Sequence, residues 1–199
     1  MTKTRLEAFS DGIFAIAITL LILNVNIPDI NHLNNVQLNA ALVSTIPHLI
    51  TFCFSFLVVG VFWVAHHRIF NFVKVVDITL LWLNIVYLMF IAIIPFPASI
   101  LASHPLLISS ILIYTVTLFI IGIMHLVILR YMSKNTLIMH ESLTNSAYRL
   151  AFRTSMVGPA CYILAALSCF LSPFLSFFFI IGSMVFHMFF SGRGKLKEK

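Results

Sequence analysis

The chain has 199 residues, of which 61% are hydrophobic and 9% are charged, and its formal net charge is +6. A soluble domain of this length carries about 25% charged residues, so the composition excludes a soluble globular fold and indicates an integral membrane protein. The cysteines lie inside apolar runs without redox or metal-ligand spacing, which predicts packing residues and not a disulfide framework. They are Cys53, Cys161 and Cys169.

Six apolar runs have the length that a membrane helix needs, which is about 20 residues. They cover residues 8–27, 42–65, 78–101, 105–129, 151–171 and 173–190. The last two are separated around Pro173, and a proline starts a helix but does not continue one. The sequence therefore predicts an all-α integral membrane protein with six transmembrane helices in a single domain, residues 1–190, and a basic tail, residues 191–199.

The lysines and arginines segregate to one side of this six-span arrangement. All 12 lie before the first span, between the second and third, between the fourth and fifth (Arg153 at the boundary), or in the tail. The connections 28–41, 102–104 and 172 contain none. The positive-inside rule then predicts a multi-pass protein of the cell membrane with both termini cytoplasmic. This placement favours contact of the tail with anionic membrane lipid and argues against a nucleic-acid partner.

The first span opens with polar side chains. Arg5, Ser10 and Asp11 precede an uncharged run over residues 12–23. Ionisable groups at the end of a membrane helix are costly unless they are paired or face water, so they indicate an ion pathway or an assembly contact. A signal peptide and an ordinary helix cap are the alternatives, although Glu7 and Asp11 are unusual in a signal peptide.

The second span ends on the side of the membrane where the first begins. We therefore expect Asp11 or Ser10 to form a hydrogen bond with Trp63, His66 or His67. The two histidines make a poor metal pair, because side chains at successive helical positions diverge. Interfacial solvation is the alternative for the histidines, and a place in the aromatic belt is the alternative for Trp63.

One face of the first span combines branched apolar side chains with a hydroxyl. Ile16, Thr19, Leu20 and Leu23 follow the helical spacing i, i+3, i+4 and i+7. In a bundle of several copies this face would form stacked rings, and narrow hydrophobic rings that shed water act as gates or sieves. The alternative is a face that only packs against neighbouring helices.

The spans lack the motifs of several known membrane machineries. No charged residue lies near the centre of a span, and the filter sequence Thr-Val-Gly-Tyr-Gly is absent, as are His-Glu-x-x-His and Gly-x-Ser-x-Gly. These absences argue against a voltage sensor, a carbonyl-lined potassium filter and intramembrane hydrolysis. The sequence predicts that the protein is not an enzyme and leaves passive conduction or a non-catalytic membrane role.

Three motifs carry a resemblance to a known family. They are Arg5-x-x-x-Phe9-Ser10-Asp11 at the start of the first span, Trp63-x-x-His66-His67-x-x-Phe70 at the end of the second, and Trp82-Leu83-Asn84 with Pro95-Phe96-Pro97 in the third. Together with the six-span layout, they resemble the transmembrane protein 175 family, which comprises endolysosomal potassium channels and their prokaryotic relatives.

The resemblance implies a potassium-preferring cation channel without a carbonyl-lined filter, with potassium as the permeant ion and no cofactor. It also implies a homotetramer of single six-helix chains whose first helices line the pore. Ile16, Leu20 and Leu23 match the apolar constriction of the family, and Thr19 matches a hydroxyl position linked to selectivity. The cluster of Arg5, Ser10 and Asp11 is then structural, as are the other motif residues. These are Phe9, Trp63, His66, His67, Trp82 and Asn84.

Further expectations concern the outer mouth of such a pore. Asn24 and Asn26 would hydrate it, and Asp29 would concentrate cations there. The Thr19 hydroxyl would either face the ion or bond to a carbonyl one turn back in its own helix. Two other functions stay open, which are a non-conducting accessory or assembly protein and a small-solute carrier.

Overall fold

The structure is a computed structural model that describes residues 2–25, 34–135, 138 and 145–189. These residues form seven α-helices, with a single 3-10 turn at Leu21–Asn24 after the first. The helices are α1 (Lys3–Leu20), α2 (Asn35–Phe70), α3 (Ile78–Ile93), α4 (Pro95–Ser103), α5 (Ile108–Lys134), α6 (Asn145–Ser168) and α7 (Pro173–Phe189). The basic tail lies outside the described residues.

Five helical segments are long and apolar enough to cross a membrane. They are Lys3–Asn24, Asn35–Phe70, Ile78–Ser103, Ile108–Lys134 and Ala147–Ser168. The apolar helix α7 begins at Pro173, as predicted, and has 17 residues, which is the short end of the range for a membrane span. The all-helical membrane fold is confirmed, and a sixth crossing at α7 stays a prediction.

The third predicted span, residues 78–101, consists of two helices. Pro95 and Pro97 have no backbone N–H to donate, so the regular hydrogen-bond ladder is interrupted between α3 and α4. The Ile94 N–H donates to the Ile91 carbonyl at 3.1 Å, and the Ala98 N–H resumes the ladder to the Ile94 carbonyl at 3.1 Å. The backbone at Ile94 stays in the right-handed helical region, so the two helices follow one another as one span.

Several helices extend beyond their predicted spans. α2 has 36 residues, about 54 Å at 1.5 Å per residue, which exceeds a hydrocarbon core of about 30 Å. It begins at Asn35, where Asn34 and Gln37 form a capping box, so the end of the predicted loop 28–41 is helical. α5 and α6 likewise extend into the segment 130–150.

Two of the basic connections lie together at one end of the bundle. The Lys74 N–H, between α2 and α3, donates to the carbonyl of Ile138, after α5, at 2.6 Å. Asp77 caps α3 by accepting from the Leu80 N–H at 2.8 Å, and it also accepts from the Tyr131 hydroxyl of α5. The structure therefore brings together two of the loops that the charge pattern assigns to one side of the membrane.

The bundle interior is built from one stripe of each helix. α1 buries Leu6, Ser10, Phe14 and Ala17, with spacings of three and four residues, and Leu21 of the 3-10 turn continues this stripe. α1 packs mainly against α2 and α3. In the other half, α5 and α6 approach closely at a glycine: a Cβ on Gly122 would lie 2.8 Å from Cγ of Pro159.

Candidate functional site

A buried chain of hydrogen bonds joins α1, α2 and α3. The Ser10 hydroxyl donates to the Leu6 carbonyl at 2.8 Å and accepts from Nδ2 of Asn84 at 3.0 Å. Oδ1 of Asn84 lies 2.8 Å from Nε2 of His66. Because Oδ1 can only accept, Nε2 of His66 carries the hydrogen in this arrangement. Ser10, Asn84 and His66 are 0%, 0% and 2% exposed, so these polar groups are satisfied without water.

A second contact between α1 and α2 lies on the surface, beside these buried hydrogen bonds. Nε1 of Trp63 donates to Oδ1 of Asp11 at 2.8 Å, which confirms the expected contact between the start of the first span and the end of the second. The Trp63 ring stacks on His67 with a centroid distance of 5.9 Å. His67 is exposed whereas His66 is buried, so the adjacent histidines do diverge.

The remaining residues of the predicted structural motif lie on the surface. Phe9 and Trp82 are 47% and 61% exposed. Arg5 is also exposed, and it has no hydrogen bond or ion pair with the part of the chain that the structure describes. Of the cluster of Arg5, Ser10 and Asp11, only the last two contact neighbouring helices of the same chain.

The predicted pore face at the first span is exposed in the single chain. Ile16, Leu20 and Leu23 are 56%, 41% and 67% exposed, and Thr19 is exposed between them. The Thr19 hydroxyl donates to the Ile16 carbonyl at 2.9 Å, so it bonds within its own helix, three residues back and not four. A hydroxyl oxygen that donates can still accept, so its lone pairs stay available on the exposed face.

The residues predicted at the outer mouth have different surroundings. Nδ2 of Asn24 donates to the Pro95 carbonyl at 3.1 Å and so ties the end of the first span to the start of α4. Pro95 lacks an N–H, but its carbonyl is an ordinary acceptor. Asn26 and Asp29 lie outside the described residues.

Sequence reasoning assigned Asn84 to a motif but did not identify it as the link between Ser10 and His66. Its signal was an amide side chain in an otherwise apolar span, which needs a partner inside the bundle. The bond from Asn24 to Pro95 was also missed. No periodicity shows which carbonyl a distant amide will reach, although an interrupted helix predicts carbonyls in need of donors.

The sequence of this chain is similar to those of known channel proteins. Residues 5–95 match the family described as the endosomal/lysosomal potassium channel TMEM175. A potassium channel of Streptomyces collinus is 45% identical over 100 residues, which cover 50% of this chain and 48% of that protein. The endosomal/lysosomal proton channel TMEM175 of Gallus gallus is 28% identical over 184 residues, which cover 90% of this chain and 35% of that protein.

The same similarity holds for the three-dimensional structure. A crystal structure of a lysosomal potassium-selective channel TMEM175 homolog from Chamaesiphon minutus superposes with a TM-score of 0.80 and 29% identity. That superposition covers 94% of this chain and 96% of the other. The sequence match to the Streptomyces collinus channel, in contrast, covers about half the length of that channel. The chain is therefore similar to the TMEM175 family in sequence over residues 5–95, and it shares the fold of a bacterial TMEM175 homolog over nearly its whole length.

Proposed function

We propose that the protein is a potassium-preferring cation channel in which four copies of the chain surround a central pore lined by α1. The observation that carries this proposal is the exposed face of Ile16, Thr19, Leu20 and Leu23 on a helix whose opposite face is buried in its own subunit. The names of the bacterial relatives as potassium channels support the ion.

Exposed apolar side chains alone do not distinguish a pore from a lipid surface, because other helices of this protein expose them too. Two features favour the pore. The α1 face carries the hydroxyl of Thr19 within its apolar stripe, and exposed Arg5 and Asp11 lie in the first half of the same helix. Charged groups on a membrane helix favour water over hydrocarbon, and an ion pathway supplies that water.

The proposed mechanism is partial dehydration at an apolar constriction. Ile16 would form the narrowest layer, with Leu20 and Leu23 in the layers beyond it. A potassium ion loses its hydration water more readily than a sodium ion, so a tight apolar ring discriminates mildly between them. The Thr19 oxygens would replace part of the lost hydration. In this mechanism the ion is the only permeant ligand, and no cofactor takes part.

The polar cluster has a separate role in the proposal. The bonds of Ser10 and Asp11 to α3 and α2 fix the rotation of α1, so that the apolar stripe points to the fourfold axis. Arg5 reaches a neighbouring subunit or the cytoplasmic water, since its side chain is exposed. The protein would lie in the cell membrane with both termini in the cytoplasm, as the charge pattern predicts.

Reconstitution into liposomes with a potassium gradient tests the conduction. The channel proposal predicts potassium flux that rises without saturation as the ion concentration increases, together with unitary steps in planar bilayers. Liposomes without protein and liposomes with a heat-denatured sample are the controls. Slow, saturable flux would favour a carrier, and no flux from a folded oligomer would favour a non-conducting assembly protein.

A further inference from the structure

A small pocket inside the bundle contains polar side chains that the proposed channel does not use. It lies between α2, α5, α6 and α7 and has a volume of about 20 Å³. Its polar lining comes from His125 of α5, Ser155 and Tyr162 of α6, and His187 of α7. His125 and Tyr162 are each 5% exposed, so the lining belongs to the interior of the subunit.

His125 has a hydrogen-bonding atom without a partner. Its Nδ1 is buried and makes no hydrogen bond to the residues that the structure describes. The other histidine of the pocket is satisfied at the equivalent atom, because Nδ1 of His187 donates to the Ser183 carbonyl at 2.8 Å. Buried polar atoms in native proteins are almost always hydrogen-bonded, by protein or by ordered water. Because His125 lines the pocket, a small molecule held there can supply this partner.

The pocket has the size and chemistry of a water site. About 10–15 Å³ is enough for one water molecule, provided that two to four polar groups surround it. Cavities that stay empty are lined by apolar groups alone, whereas this lining includes two histidines and two hydroxyl side chains. A metal ion fits less well, because among residues 2–25, 34–135, 138 and 145–189 no group of three or more potential metal ligands occurs.

We infer that this pocket binds one ordered water molecule, which hydrogen-bonds to Nδ1 of His125 and to at least one hydroxyl or imidazole of α6 or α7. This water is the counterpart, in the second half of the chain, of the direct link from Ser10 through Asn84 to His66. The ring of Tyr87 packs between the two sites. Its centroid lies 5.6 Å from that of the His66 ring and 6.2 Å from that of the His125 ring.

The glycine at 158 leaves room for this water. Gly158 lines the pocket, and a Cβ placed on it would lie 3.5 Å from the Tyr162 ring and 3.6 Å from the His187 ring. These are ordinary van der Waals distances, so Gly158→Ala is tolerated sterically while it occupies space inside the pocket. A Cβ placed on Gly182 of α7 would have nothing within 4 Å, so Gly182→Ala is a matched control.

A high-resolution structure of the purified full-length protein tests the inference directly. We expect density for one water within hydrogen-bond distance of Nδ1 of His125 in the wild-type protein, and no such density in Gly158→Ala. An empty pocket in the wild-type protein would overturn the inference. So would an imidazole rotated to bond directly to a side chain or carbonyl.

Thermal unfolding provides a second test that does not depend on density. Displacing the water leaves His125 unsatisfied, so Gly158→Ala is expected to lower the Tm by about 2–4 °C, whereas Gly182→Ala does not lower it. In a His125→Leu background, Gly158→Ala is expected to have no such effect, because no nitrogen remains to be satisfied. An equal loss of Tm in both backgrounds, or no loss in the wild-type background, would contradict a water bound to His125.

Discussion

The two faces of α1 differ in whether other helices of the same chain pack against them. The buried face, which includes Ser10 and Phe14, is fixed by contacts with α2 and α3 of the same chain. The opposite face, with Ile16 and, in the 3-10 turn that follows, Leu23, is exposed in the single chain. Substitutions on the first face should alter folding, and those on the second should alter assembly and conduction.

The largest expected effect concerns the apolar centre of the buried face. Phe14 is 1% exposed and contacts the rings of His66 and Tyr87, with centroid distances of 5.6 and 6.2 Å. Phe14→Ala would leave a cavity between three helices, which we expect to lower the free energy of unfolding by about 3–5 kcal/mol. Thermal unfolding of the purified protein measures this loss, with Ile16→Ala as the control on the opposite face. An equal loss for both variants would show that the faces are not separable.

The next effect concerns the buried hydrogen bonds. Asn84→Leu removes the acceptor for His66 and the donor to Ser10. Ser10 keeps its bond to the Leu6 carbonyl, whereas Nε2 of His66 is left buried without a partner, which costs about 1–3 kcal/mol. We expect the Tm of Asn84→Leu to fall clearly below that of the wild-type protein.

The control for this variant lies on the same helix. Trp82 is 61% exposed, so Trp82→Leu should change the Tm of the isolated subunit little. A stable Asn84→Leu protein would mean that the link between α1, α2 and α3 is dispensable.

A smaller effect is expected for the surface bond between Asp11 and Trp63. A single hydrogen bond contributes about 0.5–1.5 kcal/mol net, and this one is exposed on the surface of the subunit. Trp63→Phe and Asp11→Ala should each reduce the yield of assembled oligomer in size-exclusion chromatography. The double variant should be no worse than the poorer single one. Fully additive losses would show that the two side chains act independently.

The smallest effect on subunit stability is expected on the exposed face. Leu23 is 67% exposed, and surface substitutions away from special features change stability by less than about 0.5 kcal/mol. Leu23→Ala should therefore leave the Tm of a dissociated subunit unchanged while it changes the conductance. A large fall in the Tm of the monomer would place Leu23 in a contact within the chain.

Much of the helical layout could be predicted from the sequence, because apolar runs of sufficient length have few alternatives in a membrane. The apolar stripe from Ile16 to Leu23 also followed from spacing. The helix bounds were less predictable. Residues 35–41 were assigned to a loop, since their polarity resembles that of a connection. The capping box at Asn34 and Gln37, which starts α2, was not recognised in the sequence.

Some contacts between helices were also predictable from the sequence, and others were not. The bond between Asp11 and Trp63 was predictable, because a carboxylate and possible donors were expected on one side of the membrane. The link through Asn84 and the unsatisfied nitrogen of His125 were not. Both depend on the rotation and depth at which helices pack, and a single sequence with apolar residues around most of each helix does not define these quantities.

Recordings from single channels in planar bilayers test most directly whether the exposed face of α1 meets the ion. Ile16→Asn should raise the unitary cation current and weaken the preference for potassium, because an amide hydrates the constriction. Ile113→Asn, a matched change at a 42% exposed isoleucine of α5, should leave both unchanged. If Ile16→Asn channels had the current and selectivity of the wild-type protein, the pore would not be lined by this face.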